Sequence, residues 1–133
     1  MKLGFVTYQI GHAWDIPTII EMCNSTGFTG VELRTTHAHG VETSLTSSQR
    51  EAVREQFHAG GVDIAGLGSA FEYHVNDAAE LRRNIDGTIQ YCKLAADLGC
   101  PGVKVRPNGF QTDEGIPEAQ TLEQIGKAVG ECA

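Results

Sequence analysis

Residues 95–109 read Ala-Ala-Asp-Leu-Gly-Cys-Pro-Gly-Val-Lys-Val-Arg-Pro-Asn-Gly, and this run decides the fold. An amphipathic helix ends at about Leu98, and Gly99 stops it. A short apolar strand follows over Pro101–Val105. Polar groups crowd its C-terminal end: Lys104, Arg106 and Asn108. Asn108–Gly109 reads as a turn. The same order of helix, glycine, strand and polar end recurs upstream. Gly27 precedes a strand at Thr29–Leu33, and Gly60–Gly61 precede one at Val62–Leu67. The chain opens on a strand at Lys2–Thr7. Strand starts at 2, 29, 62 and 101 are 27, 33 and 39 residues apart, room for one helix each time. This is a structural β/α repeat, not a tandem sequence repeat.

The helices are legible from caps and spacing. Asp15 is a good N-cap, with Pro17 in the first turn and Ile16, Ile19, Ile20 and Cys23 along one face. The Thr46–Ser48 cluster opens the second helix, with Val53 and Phe57 inward. The third starts near Asn76–Asp77, with Leu81, Ile85, Ile89, Cys92 and Ala96 as its stripe. After a Gly/Pro/Asn/Asp loop at 107–117, Leu122, Ile125, Val129 and Cys132 mark the last. The near-continuous apolar run Val62–Leu67 fits a parallel strand covered on both faces. No linker divides the chain, so residues 1–133 are expected to form a single partial domain.

The fold class is therefore α/β, built from parallel β/α units. Four units make an open sheet or half of an eight-unit barrel. Open doubly wound sheets usually carry a glycine-rich phosphate turn after the first strand. Here that turn reads TYQIGHAW (7–14), with neither GxGxxG nor GxxxxGK, which disfavours a nucleotide-binding domain. A complete (β/α)8 barrel needs about 250 residues, and this chain has 133.

Composition narrows the function. A net charge of −7 argues against a nucleic-acid surface. No apolar run approaches the roughly 20 residues that span a bilayer, and the N-terminus is too short in apolar residues for a signal peptide. The four cysteines form no CxxC pair. They read as buried reduced thiols, so a cytoplasmic location is expected.

In such repeats the strand ends gather on one face, where ligands bind. Glu32 and Arg34 end the second strand. They read either as a hydroxyl acceptor beside an anion-holding or Glu32-orienting guanidinium, or as an ion pair at the rim. His37 and His39 form an HxH in THAHGVE (36–42). It reads either as a metal pair or as a polar loop, flexible and without a fixed partner, that closes over a ligand. Glu72 and His74 follow the third strand, His74 as a donor to a ligand or as a lone loop histidine. Lys104 and Arg106 alternate and so share one side of the fourth strand, facing either the barrel interior or the helices. Pointing inward, Arg106 suits a phosphate or an enediolate oxygen. Otherwise it pairs with Glu32 or a neighbouring strand. Trp14, Phe5, Tyr8 and Phe71 could wall a ligand face or fill the core, and for Phe5 the core reading is favoured.

The runs KLGFVTYQIG (2–11), GFTGVELR (27–34) and AADLGCPGVKVRPNG (95–109) resemble the sugar phosphate isomerase/epimerase family of xylose isomerase-like barrels. The likeness covers essentially the whole chain, aligned to the first half of the barrel. It implies half of a TIM barrel binding a sugar-like substrate at its top face. It also implies isomerisation or epimerisation of a keto-sugar or polyol-like compound, assisted by a divalent metal (Mn, Mg, Co or Zn). In that family the metal ligands and acid/base carboxylates sit mostly on strands five to eight. The resemblance therefore assigns no catalytic or metal residue here. It leaves Glu32, Arg34, His37, His74, Lys104 and Arg106 as expected substrate-binding groups. The related AP-endonuclease branch uses a metal-binding His near His74 and a second after strand four. That position reads Val105-Arg106-Pro107-Asn108, which lowers the nuclease reading sharply. A non-catalytic truncated barrel that binds a small polar ligand or a protein is the other alternative. Half a barrel leaves two strand edges and apolar interior side chains bare, so a homo-oligomer or pairing with a missing half-barrel is expected.

Overall fold

The computed structural model describes residues 1–106 and 109–133. The expected turn at Asn108–Gly109 therefore falls partly outside the described residues. Four strands form one sheet in the order β1-β2-β3-β4, all parallel: β1 Gly4–Val6, β2 Gly30–Arg34, β3 Asp63–Glu72 and β4 Val103–Arg106. Between and after them run α1 Ile16–Thr26, α2 Ser47–Ala59, α3 Ala78–Leu98 and α4 Glu118–Cys132. Sequential order with parallel pairing is the curl of a half-barrel. A doubly wound sheet would reverse its strand order.

Local chemistry sets the helix ends. The Asp15 carboxylate accepts from the Thr18 N–H at 2.9 Å, and Asp77 caps Glu80 at 2.7 Å. Thr46 and Gln49 form a reciprocal capping box. Gly27 and Gly99 end α1 and α3 with φ of 79° and 70°, left-handed backbone that favours glycine.

One main core lies between sheet and helices. Ile16, Ile19 and Cys23 of α1, Val53 and Phe57 of α2, and Tyr91, Leu94, Ala95 and Leu98 of α3 bury Val31, Leu33, Ile64 and Leu67. The α3 stripe differs from expectation. Ala96 is exposed, whereas Thr88 and Tyr91 are buried. The helix meets two neighbours at once: Leu81, Ile85 and Ile89 share a second cluster with Ile125 and Cys132 of α4, while its C-terminal turns meet the main core. On α4, Leu122 and Val129 are exposed rather than inward.

β3 is not covered on both faces. Ile64 and Leu67 are buried, while Asp63, Ala65 and Ala70 are exposed. The run reads as apolar because its inner face is small, not because it is packed. β3 also extends five residues beyond Leu67, bringing Glu72 into the sheet opposite Arg106. Ser69 supports this extension, since its buried hydroxyl donates to the Lys104 carbonyl at 2.9 Å.

Candidate functional site

The inner face of the sheet carries the site. Val103 and Val105 pack against the helix-side clusters, so the alternating Lys104 and Arg106 face the barrel interior. Lys104 Nζ meets Glu32 Oε1 as an ion pair rather than a directional hydrogen bond. These residues belong to β2 and β4, with β3 between them. Gly68 makes the crossing possible, because a Cβ there would stand 2.8 Å from Glu32 Oε1. The Glu32 side chain is 20% exposed and Lys104 51%, so the pair lies on a partly open stretch of the inner wall.

Nearer the strand ends, Glu72 stands between a guanidinium and an imidazole. Arg106 Nη1 lies 3.8 Å from one carboxylate oxygen and His74 Nε2 lies 3.9 Å from the other. Arg106 therefore pairs with its neighbouring strand, and Glu32 with Lys104. His74 is largely covered, and its Nδ1 is buried without a hydrogen-bond partner among the described residues. Gly109 (φ 98°) closes over this ring, where a Cβ would come within 2.7 Å of Cδ2. The strand exit is stitched by amides: Asn84 donates to the Glu72 carbonyl, Gln124 to those of Tyr73 and Val75, and Gln111 to that of His74.

On the other side of the rim, the Arg34 guanidinium lies 4.5 Å from the centre of the Tyr8 ring. Among the described residues it has no carboxylate within ion-pair distance, so it does not orient Glu32. Thr7, fully buried, ties three pieces together. Its hydroxyl oxygen accepts the Arg34 N–H at 3.0 Å and lies 2.8 Å from His37 Nδ1.

The THAHGVE loop is fixed rather than free. The Val41 N–H donates to His39 Nδ1 at 3.0 Å, which leaves Nε2–H to donate to the Arg34 carbonyl at 2.9 Å. With both ring nitrogens engaged, His39 is a structural histidine, and the HxH reading as a metal pair loses its second ligand. Burial pushes its pKa down. That of His37 falls too, first by desolvation, then by the charges of Arg34 and His12. Glu42 locks the other end of the loop, accepting from the Thr35 hydroxyl, the Thr36 N–H and the Tyr91 hydroxyl. Burial and Glu42 raise Tyr91 to about 12. Sequence reasoning missed Glu42. Its only signal was an acidic residue closing a polar loop.

Of the expected aromatic walls, only Tyr8 joins the charged rim. Phe5 packs on Trp14 and Phe28, and Phe71 packs edge-on against Tyr91. Among the described residues no group of three or more His, Cys, Asp or Glu could hold a metal ion.

The family model for the xylose isomerase-like TIM barrel matches residues 20–133. Solved structures share the fold at low identity. A D-psicose 3-epimerase with D-tagatose from Clostridium cellulolyticum H10 superposes with a TM-score of 0.75 at 16% identity, covering 99% of this chain and 47% of its own. A 3-keto-D-glucoside 4-epimerase from E. coli gives 0.63 at 13% identity, covering 99% and 53%. A probable 3-DHS dehydratase from Bacillus anthracis gives 0.69 at 14%, covering 99% and 47%. The chain thus spans about half the length of these structures. No curated protein sequence matches it.

Proposed function

The chain belongs to the xylose isomerase-like TIM barrel family, and from that premise we propose that it forms the N-terminal half of a sugar isomerase or epimerase barrel acting on a keto-sugar or polyol-like substrate. The observation that carries the reading is the Glu32–Lys104 pair laid across Gly68 on the inner wall. A carboxylate and an ammonium side by side match the hydroxyl and carbonyl oxygens of a ketose as acceptor and donor. Glu72, His74 and Arg106 extend this polar wall towards the rim, and Arg34 with His37 closes it on the other side. In this reading, residues 1–133 form one partial-barrel domain that binds and orients the substrate. The epimerase neighbours support the reaction class, a proton moved at the carbon beside a carbonyl.

A divalent metal would polarise the carbonyl in such chemistry. Among the described residues no three such side chains as His, Cys, Asp or Glu converge to hold one, so further ligands would have to come from other β/α units, and no step here runs through it. The bare interior and strand edges call for a second set of four β/α units, in the same polypeptide or in another copy.

The test is deuterium exchange. The intact protein with manganese and a panel of ketoses in heavy water is expected to place deuterium beside the carbonyl. Glu32→Gln should slow this by at least about tenfold. Absence of exchange and of any ligand-induced thermal shift across the panel would count against the enzyme, whereas ligand binding without metal and without exchange would favour the non-catalytic alternative.

A further inference from the structure

A cluster of groups at the β1/β2 rim is not used by the interior ion pairs. Arg34 stacks on Tyr8 and has no carboxylate partner among the described residues. The other inner-wall cations do: Lys104 has Glu32, and Arg106 has Glu72. His37 stands near Arg34, with its ring centre 6.2 Å from that of His12 and 6.0 Å from that of His39. Glu42 faces this group, but its oxygens are committed to Thr35, Thr36 and Tyr91.

The tautomers sharpen the picture. The Thr7 oxygen accepts the Arg34 N–H, and its hydroxyl hydrogen has His37 Nδ1 as its acceptor. Neutral His37 then carries its proton on Nε2, a donor not used by the described residues. His12 Nδ1 is held by the Gln9 carbonyl at 3.3 Å. The corner therefore presents a planar guanidinium without an ion-pair partner among the described residues and an imidazole N–H, with the hydrogen-bonded Glu42 carboxylate as the negative charge acting on His37.

Resting on the sugar-like reading above and deepening it, we propose that the substrate carries an anionic group, a phosphate ester or a carboxylate, bound by Arg34 and the His37 Nε2–H with Tyr8 as the backing platform. A guanidinium fork suits either anion bidentately. Stacking on Tyr8 holds the fork in place, which reduces the freedom lost on binding. Bound anion also favours the protonated form of His37, which desolvation, Arg34 and His12 oppose more than Glu42 supports.

The test follows the His37 ring proton of the intact protein by NMR during titration with inorganic phosphate and, separately, acetate. Sodium chloride at matched ionic strength is the control. The proposal expects a saturable shift and a higher His37 titration midpoint with at least one of the two anions. Arg34→Gln should weaken it at least about tenfold. A response to phosphate alone identifies an ester, and one to acetate alone identifies an acid. A His37 that ignores both, or responds equally to chloride, overturns the proposal even if Arg34→Gln does not fold. Neutral ketoses that exchange deuterium while neither anion binds would sink this inference and leave the reaction standing. Anion binding without any exchange would do the reverse.

Discussion

At the scale of single residues, a glycine and a histidine hold the site in shape. Gly68 leaves the gap through which Glu32 reaches Lys104. Gly68→Ala is expected to push Glu32 aside, lowering stability by about 1–3 kcal/mol and disrupting ligand binding. Chemical unfolding and ligand titration check both. His39 is buried neutral, with its folded pKa below the unfolded value. Below the unfolded value of about 6.5 the unfolded chain takes up a proton that the folded chain resists. Its neutral fold is therefore fully favoured above that pH and loses ground as pH falls towards the folded pKa. His37 titrates in the same direction. The unfolding midpoint should drop between pH 7.5 and 5.5, and His39→Gln should flatten part of that slope. A midpoint independent of pH in the unsubstituted protein would contradict this. The sequence displayed HxH as a pattern, but it could not reveal that one histidine serves the backbone. Hydrogen-bond partners five residues back and two ahead are set by a loop path that spacing does not encode.

At the scale of elements, α3 is the informative one. Gly87 sits in the middle of a 21-residue helix, where alanine would ordinarily be favoured by about 1 kcal/mol. Here a Cβ would come within 2.4 Å of Phe71 Cζ, so the ring that packs on Tyr91 occupies that space. Gly87→Ala is expected to destabilise by about 1–3 kcal/mol, measured by urea unfolding; a gain would show that Phe71 relaxes freely. Caps behave more simply. Thr46→Ala should cost about 1 kcal/mol by removing the capping box of α2. Strand starts, glycine stops and the inward faces of α1 and α2 were legible because they depend on neighbours close in sequence. The length of β3 was not, because Ser69 and Glu72 look like loop residues until β4 supplies their partners.

At the scale of the whole molecule, the four strands close only half a circle. β1 and β4 are each paired on one side. Leu3, Val6, Tyr8 and Ile10 are exposed along β1 and the turn that follows it, and Leu122 and Val129 on α4. Residues 1–133 expressed alone are expected to associate at micromolar concentration. Sedimentation velocity showing a compact monomer would count against this. The inner wall itself is less apolar than half a barrel suggests, since Gly66, Gly68 and Ala70 share it with Glu32, Lys104 and Arg106. By itself the sequence determined the β/α alternation, the parallel sheet and the rim on which polar groups gather. Periodicity, caps and glycine stops are local, and alternation along a strand fixes which residues share a face. Tertiary structure alone decided the pairings: Lys104 rather than Arg106 with Glu32, Arg106 with Glu72, and Arg34 on Tyr8. Those depend on register between elements far apart in sequence and on a missing side chain at Gly68. Strand register is a property of the assembled sheet, not of any one stretch of chain.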